Sequence, residues 1–210
     1  MLKIPASLKP DVAAPILCAG VTTYSPMKHW GVKAGDKVGV VGFGGLGDMA
    51  VKIAKAMGAH VTVFTSTKEK LEEAKRLGVD GVLESDKEAF AKLKSSFDFI
   101  LSTIPEKHDV NPFVELLKRD KTMTVVGALE PLAPINNMPL AFSRKSVAGS
   151  LIGNLADTQE ILNFCAEHNI GPDIQVIPIT EINKAYDKVE KGDVRFRYVI
   201  DMSTLEAEEA

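Results

Sequence analysis

Only two cysteines, Cys18 and Cys165, occur among the 210 residues. That is too few for a disulfide framework or a four-thiolate zinc lobe within the chain, and it suits a reducing cytoplasm. An excess of either charge is lacking too. With 28 acidic and 25 basic residues the net charge is −3, which excludes the electrostatic footprint of a general nucleic-acid binder and offers no polybasic face to an anionic membrane. Nor is there a long hydrophobic run. Val12 to Met27 comes nearest, but Pro15, Pro26 and several hydroxyls break it and Lys3 and Lys9 precede it, so neither a signal peptide nor a membrane span is read. Repeats and low-complexity segments are missing, apart from an acidic tail from Glu206 to Ala210. A chain of this length buries roughly 70% of its unfolded surface, so its core needs neither disulfide nor metal.

What is present is alternation. Six short β-rich runs, Val38–Val41, Val61–Phe64, Gly81–Leu83, Phe97–Leu101, Thr122–Val126 and Val147–Leu151, are separated mostly by helical signals, the pattern of βαβ units around a parallel sheet. Leu46, Met49, Ala50, Ile53, Ala54 and Met57 recur at spacings of three and four and are followed by Gly58 as a helix stop. A second helix is expected from about Lys68 to Gly78. Asn111 before Pro112 reads as an N-cap with a first-turn proline, and Asp157 with Glu160 has capping-box spacing. The end departs from this rhythm. Gln175–Ile179 reads as extended, Ile182, Ala185, Tyr186 and Val189 form a helical stripe, and Phe196, Tyr198 and Ile200 alternate as a strand. The expected fold is therefore α/β: a doubly wound parallel six-stranded Rossmann sheet with a C-terminal return segment.

Gly42-Phe43-Gly44-Gly45-Leu46-Gly47 lies between the first β-run and the first amphipathic helix. In that context the glycines read as a dinucleotide-binding turn. One allows the tight bend, one admits a pyrophosphate, and the last lets helix and strand pack closely, while the helix N-terminus aims free N–H groups at the anion. About 20 residues on, NAD sites carry an acid against the ribose 2′-hydroxyl. Here the second strand ends Phe64-Thr65-Ser66-Thr67-Lys68-Glu69-Lys70. With no acid at the strand end, three hydroxyls and two lysines favour the 2′-phosphate of NADP. Ser66 with Glu69 also has capping-box spacing, so the segment is expected to start a helix as well.

Three further stretches accompany this turn: Ala14-Pro15-Ile16-Leu17-Cys18-Ala19-Gly20-Val21-Thr22, Tyr24-Ser25-Pro26, and Gly192 to Asp201. Together they resemble the medium-chain zinc-dependent alcohol dehydrogenases, in the NADP-dependent cinnamyl-alcohol-dehydrogenase-like branch. The resemblance implies three segments. Residues 1–24 are a remnant of the connection from a catalytic domain that the chain lacks, 25–154 form the NADP-binding Rossmann domain, and 155–210 would complete the catalytic domain. It also implies an oxidoreductase that interconverts primary alcohols, aromatic ones among them, and aldehydes by hydride transfer. A non-catalytic NADP(H)-binding module or partner subunit is the alternative.

By the same resemblance Gly42, Phe43, Gly44, Gly45, Leu46 and Gly47 match the pyrophosphate turn, and Thr65, Ser66, Thr67 and Lys70 match the 2′-phosphate site. Thr22, Thr103, Gly127, Ser150, Leu151 and Ile152 match positions beside the cofactor. Cys18 matches a ligand of the family's catalytic zinc, which one thiolate cannot hold. His29, His60, His108 and His168 lack the spacing to replace the other ligands, so no complete catalytic site is expected. Asp48 stands where the family usually has histidine. At roughly 6 Å a carboxylate there would oppose a pyrophosphate by about 1 to 3 kcal/mol, and Asp48→His would tighten NADPH binding. A small alcohol or aldehyde substrate, a homodimer joined through the sixth strand and a cytoplasmic location complete the expectation.

Overall fold

The structure, a computed structural model, describes residues 1–127, 129–191 and 197–208. Its centre is a six-stranded, all-parallel sheet of β1 (Lys37–Val41), β2 (His60–Thr65), β3 (Asp80–Leu83), β4 (Phe97–Ser102), β5 (Leu117–Val125) and β6 (Ser146–Gly149), in the order β3-β2-β1-β4-β5-β6. Both faces are covered, which is why the inner strands read as nearly continuous apolar runs. Val38 and Val40 face one core together with Met49, Ile53, Val63 and Leu101. Val41 faces the other with Phe64, Phe97, Ile100 and Phe113.

Helices α1 (Pro10–Pro15) and α2 (Val21–His29) flank a π-helical turn, Ile16–Gly20. They lie with α3 (Gly45–Ala56) and α4 (Lys68–Arg76) on the first face, whereas α5 (Lys87–Lys92), α6 (Asn111–Leu116) and α7 (Asn137–Ser143) lie on the second. Prolines within this stretch argue against helix in sequence, yet Pro15 closes α1 at the π-helical turn and Pro26 is buried in α2. Helix α8 (Leu155–His168) joins the first core through wholly buried Ile161, Leu162 and Cys165. After it come β7 (Ile174–Pro178), α9 (Ile182–Glu190) and β8 (Arg197–Asp201); β7 and β8 pair in parallel as a separate two-stranded sheet. Phe196, expected in this last strand, and Gly192–Arg195 lie outside the described residues. Among the described residues no helix is long and apolar enough to cross a membrane.

Several local expectations are corrected. The fifth strand starts at Leu117, not Thr122, because Leu117 pairs with Phe97 before a register shift, and Val126 lies beyond its end. The sixth stops at Gly149 rather than Leu151, since Ile152 takes a left-handed φ of 56° and turns the chain away. Val110, not Asn111, is the N-cap position of α6; the Asn111 side chain instead accepts from Asn136 N–H and donates to the Pro134 carbonyl. Asn154 caps α8 by accepting from Asp157 N–H, which frees Asp157 and Glu160 to bind α2 through Ser25 and Tyr24.

Candidate coenzyme-binding site

The glycine turn joins the carboxyl end of β1 to α3, at the edge of the sheet where open α/β folds bind ligands. Gly42 has φ +86°, a conformation that disfavours any side chain. A methyl on Gly47 would strike the Gly42 carbonyl oxygen, so strand and helix can approach this closely only with glycine there. Gly44 is different: a Cβ there would meet nothing within 4 Å. Gly44 is also the N-cap of α3, with no side-chain cap. The first N–H groups of the helix lack intrahelical partners and carry its positive end. An open surface, free donors and partial positive charge fit a diphosphate. Phe43 is buried behind the turn and Leu46 is partly buried on the first core.

Thr103, at the end of β4, holds the turn from below. Its hydroxyl donates to the Val41 carbonyl at 3.0 Å and lies 3.3 Å from that of Gly42. Gly127, after β5, has a Cβ position that collides with the Ile104 carbonyl, so the backbones beyond β4 and β5 touch there. Ser150 N–H donates to the Val125 carbonyl at 3.1 Å. Leu151 and Ile152 are exposed next to it. Thr22 is nearly buried in α2.

At the end of β2, Thr65 is buried, Ser66 is exposed, and Thr67 is the N-cap of α4, its hydroxyl accepting from Lys70 N–H at 3.4 Å. The cap is thus Thr67 rather than Ser66. Among the described residues the Ser66 hydroxyl and the Lys68 and Lys70 ammonium groups make no hydrogen bond or ion pair, which leaves them free for an anion. The turn, Thr65–Lys70 and Thr103 share one end of the sheet, as do Gly127 and Ser150.

Cys18 is exposed on the π-helical turn, and among the described residues no group of three or more His, Cys, Asp or Glu side chains is placed to hold a metal. The other thiol, Cys165, is wholly buried, and desolvation pushes its pKa up to about 12, which makes it inert.

Two features escaped the sequence reading. Asp48 is wholly buried and ion-paired with Lys52 at 2.9 Å, a counter-charge beside the carboxylate expected to oppose a pyrophosphate. The i,i+4 spacing of the two residues was the available signal. His108, in the loop after β4, is fixed at both nitrogens. Nδ1 lies 2.8 Å from the Glu106 carbonyl, which can only accept, so Nδ1 carries a proton, and Nε2 lies 3.0 Å from the Ser102 hydroxyl.

Residues 45–167 match the model of a family described as zinc-binding dehydrogenase. The chain belongs to that family. It is 52% identical over 197 residues to aldehyde reductase YahK of Escherichia coli, covering 91% of this chain and 56% of that protein. To NADP-dependent alcohol dehydrogenase C 1 of Mycolicibacterium smegmatis it is 47% identical over 206 residues, covering 98% of this chain and 59% of the relative. Among solved structures, a cinnamyl alcohol dehydrogenase of Sorghum bicolor superposes with a TM-score of 0.90 at 42% identity over 96% of this chain and 58% of that one. A Helicobacter pylori CAD complexed with NADP(H) gives 0.85 at 39% identity, with the same coverages. The zinc-binding dehydrogenase chain described here thus spans less than two thirds of the length of these relatives and covers their C-terminal, cofactor-binding part.

Proposed function

We propose that the chain is the coenzyme-binding part of an NADP-dependent alcohol dehydrogenase that interconverts primary alcohols, aromatic ones among them, with aldehydes. One observation carries the reading: an uncapped helix N-terminus at Gly44 lies at the same end of the sheet as a β2 end whose residues Thr65–Thr67 include no acid and whose Ser66, Lys68 and Lys70 side chains make no hydrogen bond or ion pair among the described residues. The N–H groups of the turn hold the diphosphate, with Gly42, Phe43, Gly45, Leu46 and Gly47 shaping the cradle. The hydroxyls of Thr65, Ser66 and Thr67 and the Lys70 ammonium take the 2′-phosphate. Thr22, Thr103, Gly127, Ser150, Leu151 and Ile152 flank the nicotinamide end, in keeping with their places on or beside that edge. When bound, the coenzyme supplies hydride transfer.

The names of the E. coli and M. smegmatis relatives support the substrate class and NADP. The family's zinc would find only Cys18 among the described residues, which do not by themselves make a metal site. The alternative is a non-catalytic NADP(H)-binding module or partner subunit, for which the coenzyme site alone suffices. Residues 1–24, 25–154 and 155–210 are the corresponding connection, coenzyme domain and return segment. The open edge at β6, with Leu151 and Ile152 exposed beside it, supports a homodimer through that strand, to be checked as a doubled mass in light scattering. Two free cysteines support a cytoplasmic location.

Calorimetry with NADP+ and NAD+ tests the coenzyme. Tighter binding of NADP+ by about tenfold or more is expected, equivalent to about 1.4 kcal/mol. No heat with either dinucleotide, or tighter NAD+, would overturn the reading. NADPH oxidation with an aromatic aldehyde and added zinc separates the enzyme from the module.

A further inference from the structure

The coenzyme reading leaves one charged group at that sheet edge without a role. Glu84 is the residue after β3, and its N–H donates to the Thr65 carbonyl at 3.0 Å, so it stands beside the end of β2. Its side chain is exposed and, among the described residues, no group hydrogen-bonds its carboxylate. Glu84 also lines a cleft of about 540 Å³ between α5 and α6, where Phe90, Pro112 and Leu116 supply apolar surface. Lys87, Lys94, Asp109 and Glu115 line the same cleft, Asp109 from the loop after β4.

The dinucleotide's own connectivity limits where its base can go. With the diphosphate on Gly44 and the ribose 2′-phosphate between Ser66 and Lys70, the ring attached to that ribose would lie close to the end of β2, beside which Glu84 stands. Apolar surface suits the faces of a purine. A carboxylate at its rim can only accept a hydrogen bond, so it selects a ring edge that donates.

Resting on the NADP reading, we propose that Glu84 is a specificity-determining residue that reads the base of the coenzyme, its carboxylate accepting a hydrogen bond from the exocyclic amine of adenine. Burial raises the Glu84 carboxyl pKa, and the charges of His108 and Lys70 oppose that rise. Adenine's amine then serves as a neutral donor to the carboxylate. A base with a carbonyl at that position would set two acceptors against each other.

The test compares NADP+ with its hypoxanthine analogue, in which a carbonyl replaces the amine, by calorimetry on the 210-residue chain. The analogue is expected to bind about tenfold more weakly than NADP+, and Glu84→Ala and Glu84→Gln are expected to bring that ratio close to one. Preference for NADP+ over NAD+ should survive in both variants, since the 2′-phosphate groups are untouched. Equal affinities in the unaltered chain, or a ratio unmoved by both substitutions, would overturn the proposal. If Glu84→Ala instead tightened NADP+ and its analogue equally and raised the preference over NAD+, Glu84 would act only as a charge opposing the 2′-phosphate, and base reading would fall. Absence of binding by NADP+ and NAD+ alike would refute the coenzyme reading itself, and this inference with it.

Discussion

The carboxylate of Asp48 lies 2.9 Å from the ammonium of Lys52, one turn along the helix that begins at the glycine turn. Asp48 is wholly buried and one of its oxygens has no partner, whereas Lys52 also donates to the Gly171 carbonyl at 3.0 Å and lies 3.3 Å from Asp173. The pair therefore ties α3 to the segment entering β7. Lys52→Ala leaves an uncompensated buried carboxylate and is expected to cost about 3 to 5 kcal/mol in urea denaturation at neutral pH. Asp48→Asn should cost less, because Lys52 keeps two other partners. Burial, opposed by the Lys52 hydrogen bond, leaves the Asp48 pKa above its ordinary value. A carboxyl raised on folding lowers stability as pH climbs through the window between the two values, so the deficit of Lys52→Ala should shrink on acidification.

Two glycines of the turn should separate folding from binding. A methyl at Gly44 meets nothing in the protein but occupies the surface offered to the diphosphate, so Gly44→Ala is expected to keep its melting temperature and lose NADP+ affinity by tenfold or more. At Gly47 the methyl collides with backbone, which cannot swing aside. Gly47→Ala should therefore destabilise the protein by about 1 to 3 kcal/mol. Thermal denaturation and calorimetry read the two effects.

Removing the Lys70 ammonium should act on the phosphate alone. Lys70→Ala is expected to weaken NADP+ about tenfold and to leave NAD+ unchanged, with the difference fading at high salt. Parallel titrations at two ionic strengths check this.

Asp98 provides acid sensitivity at the opposite edge of the sheet. Burial alone would raise its pKa, but Lys118 at 2.7 Å, the Lys37 N–H at 3.1 Å and Lys121 at 3.5 Å hold it below the ordinary carboxylate value. A depressed pKa contributes stability above the unfolded value and loses it as pH falls through the folded one. Asp98→Asn should cost about 1 to 2 kcal/mol at neutral pH, a modest figure because the lysines are partly exposed, and nothing at strongly acidic pH. Denaturation series at several pH values decide it.

Hydrogen exchange should divide the return segment unevenly. In α8 three side chains are wholly buried in the main core, while α9 buries none and leaves Tyr186 and Val189 exposed. Amides of α8 should exchange as slowly as those of the sheet, and those of α9 much faster. Equal protection would show that α9 has a core of its own.

Much of this architecture is written locally. Six apolar runs, the helical stripe from Leu46 to Met57 and the spacing of Gly42, Gly44 and Gly47 rest on periodicity and φ requirements that act within a few residues, so the amino-acid sequence alone was enough to read a parallel sheet with a dinucleotide turn. An acid-free end to β2 was legible for the same reason.

Tertiary structure decided what depends on residues far apart in the chain. Asn154 rather than Asp157 caps α8, and Asp157 and Glu160 instead reach Ser25 and Tyr24 of α2, more than 130 residues away in the chain. Pro15 and Pro26 sit within helices because α1 packs on β7 and β8, and α2 on α3 and α8, contacts that outweigh local propensity. Only the pairing of β2 with β3 brings Glu84 beside the end of β2 at Thr65, since strand pairing, not spacing along the backbone, sets which side chains meet.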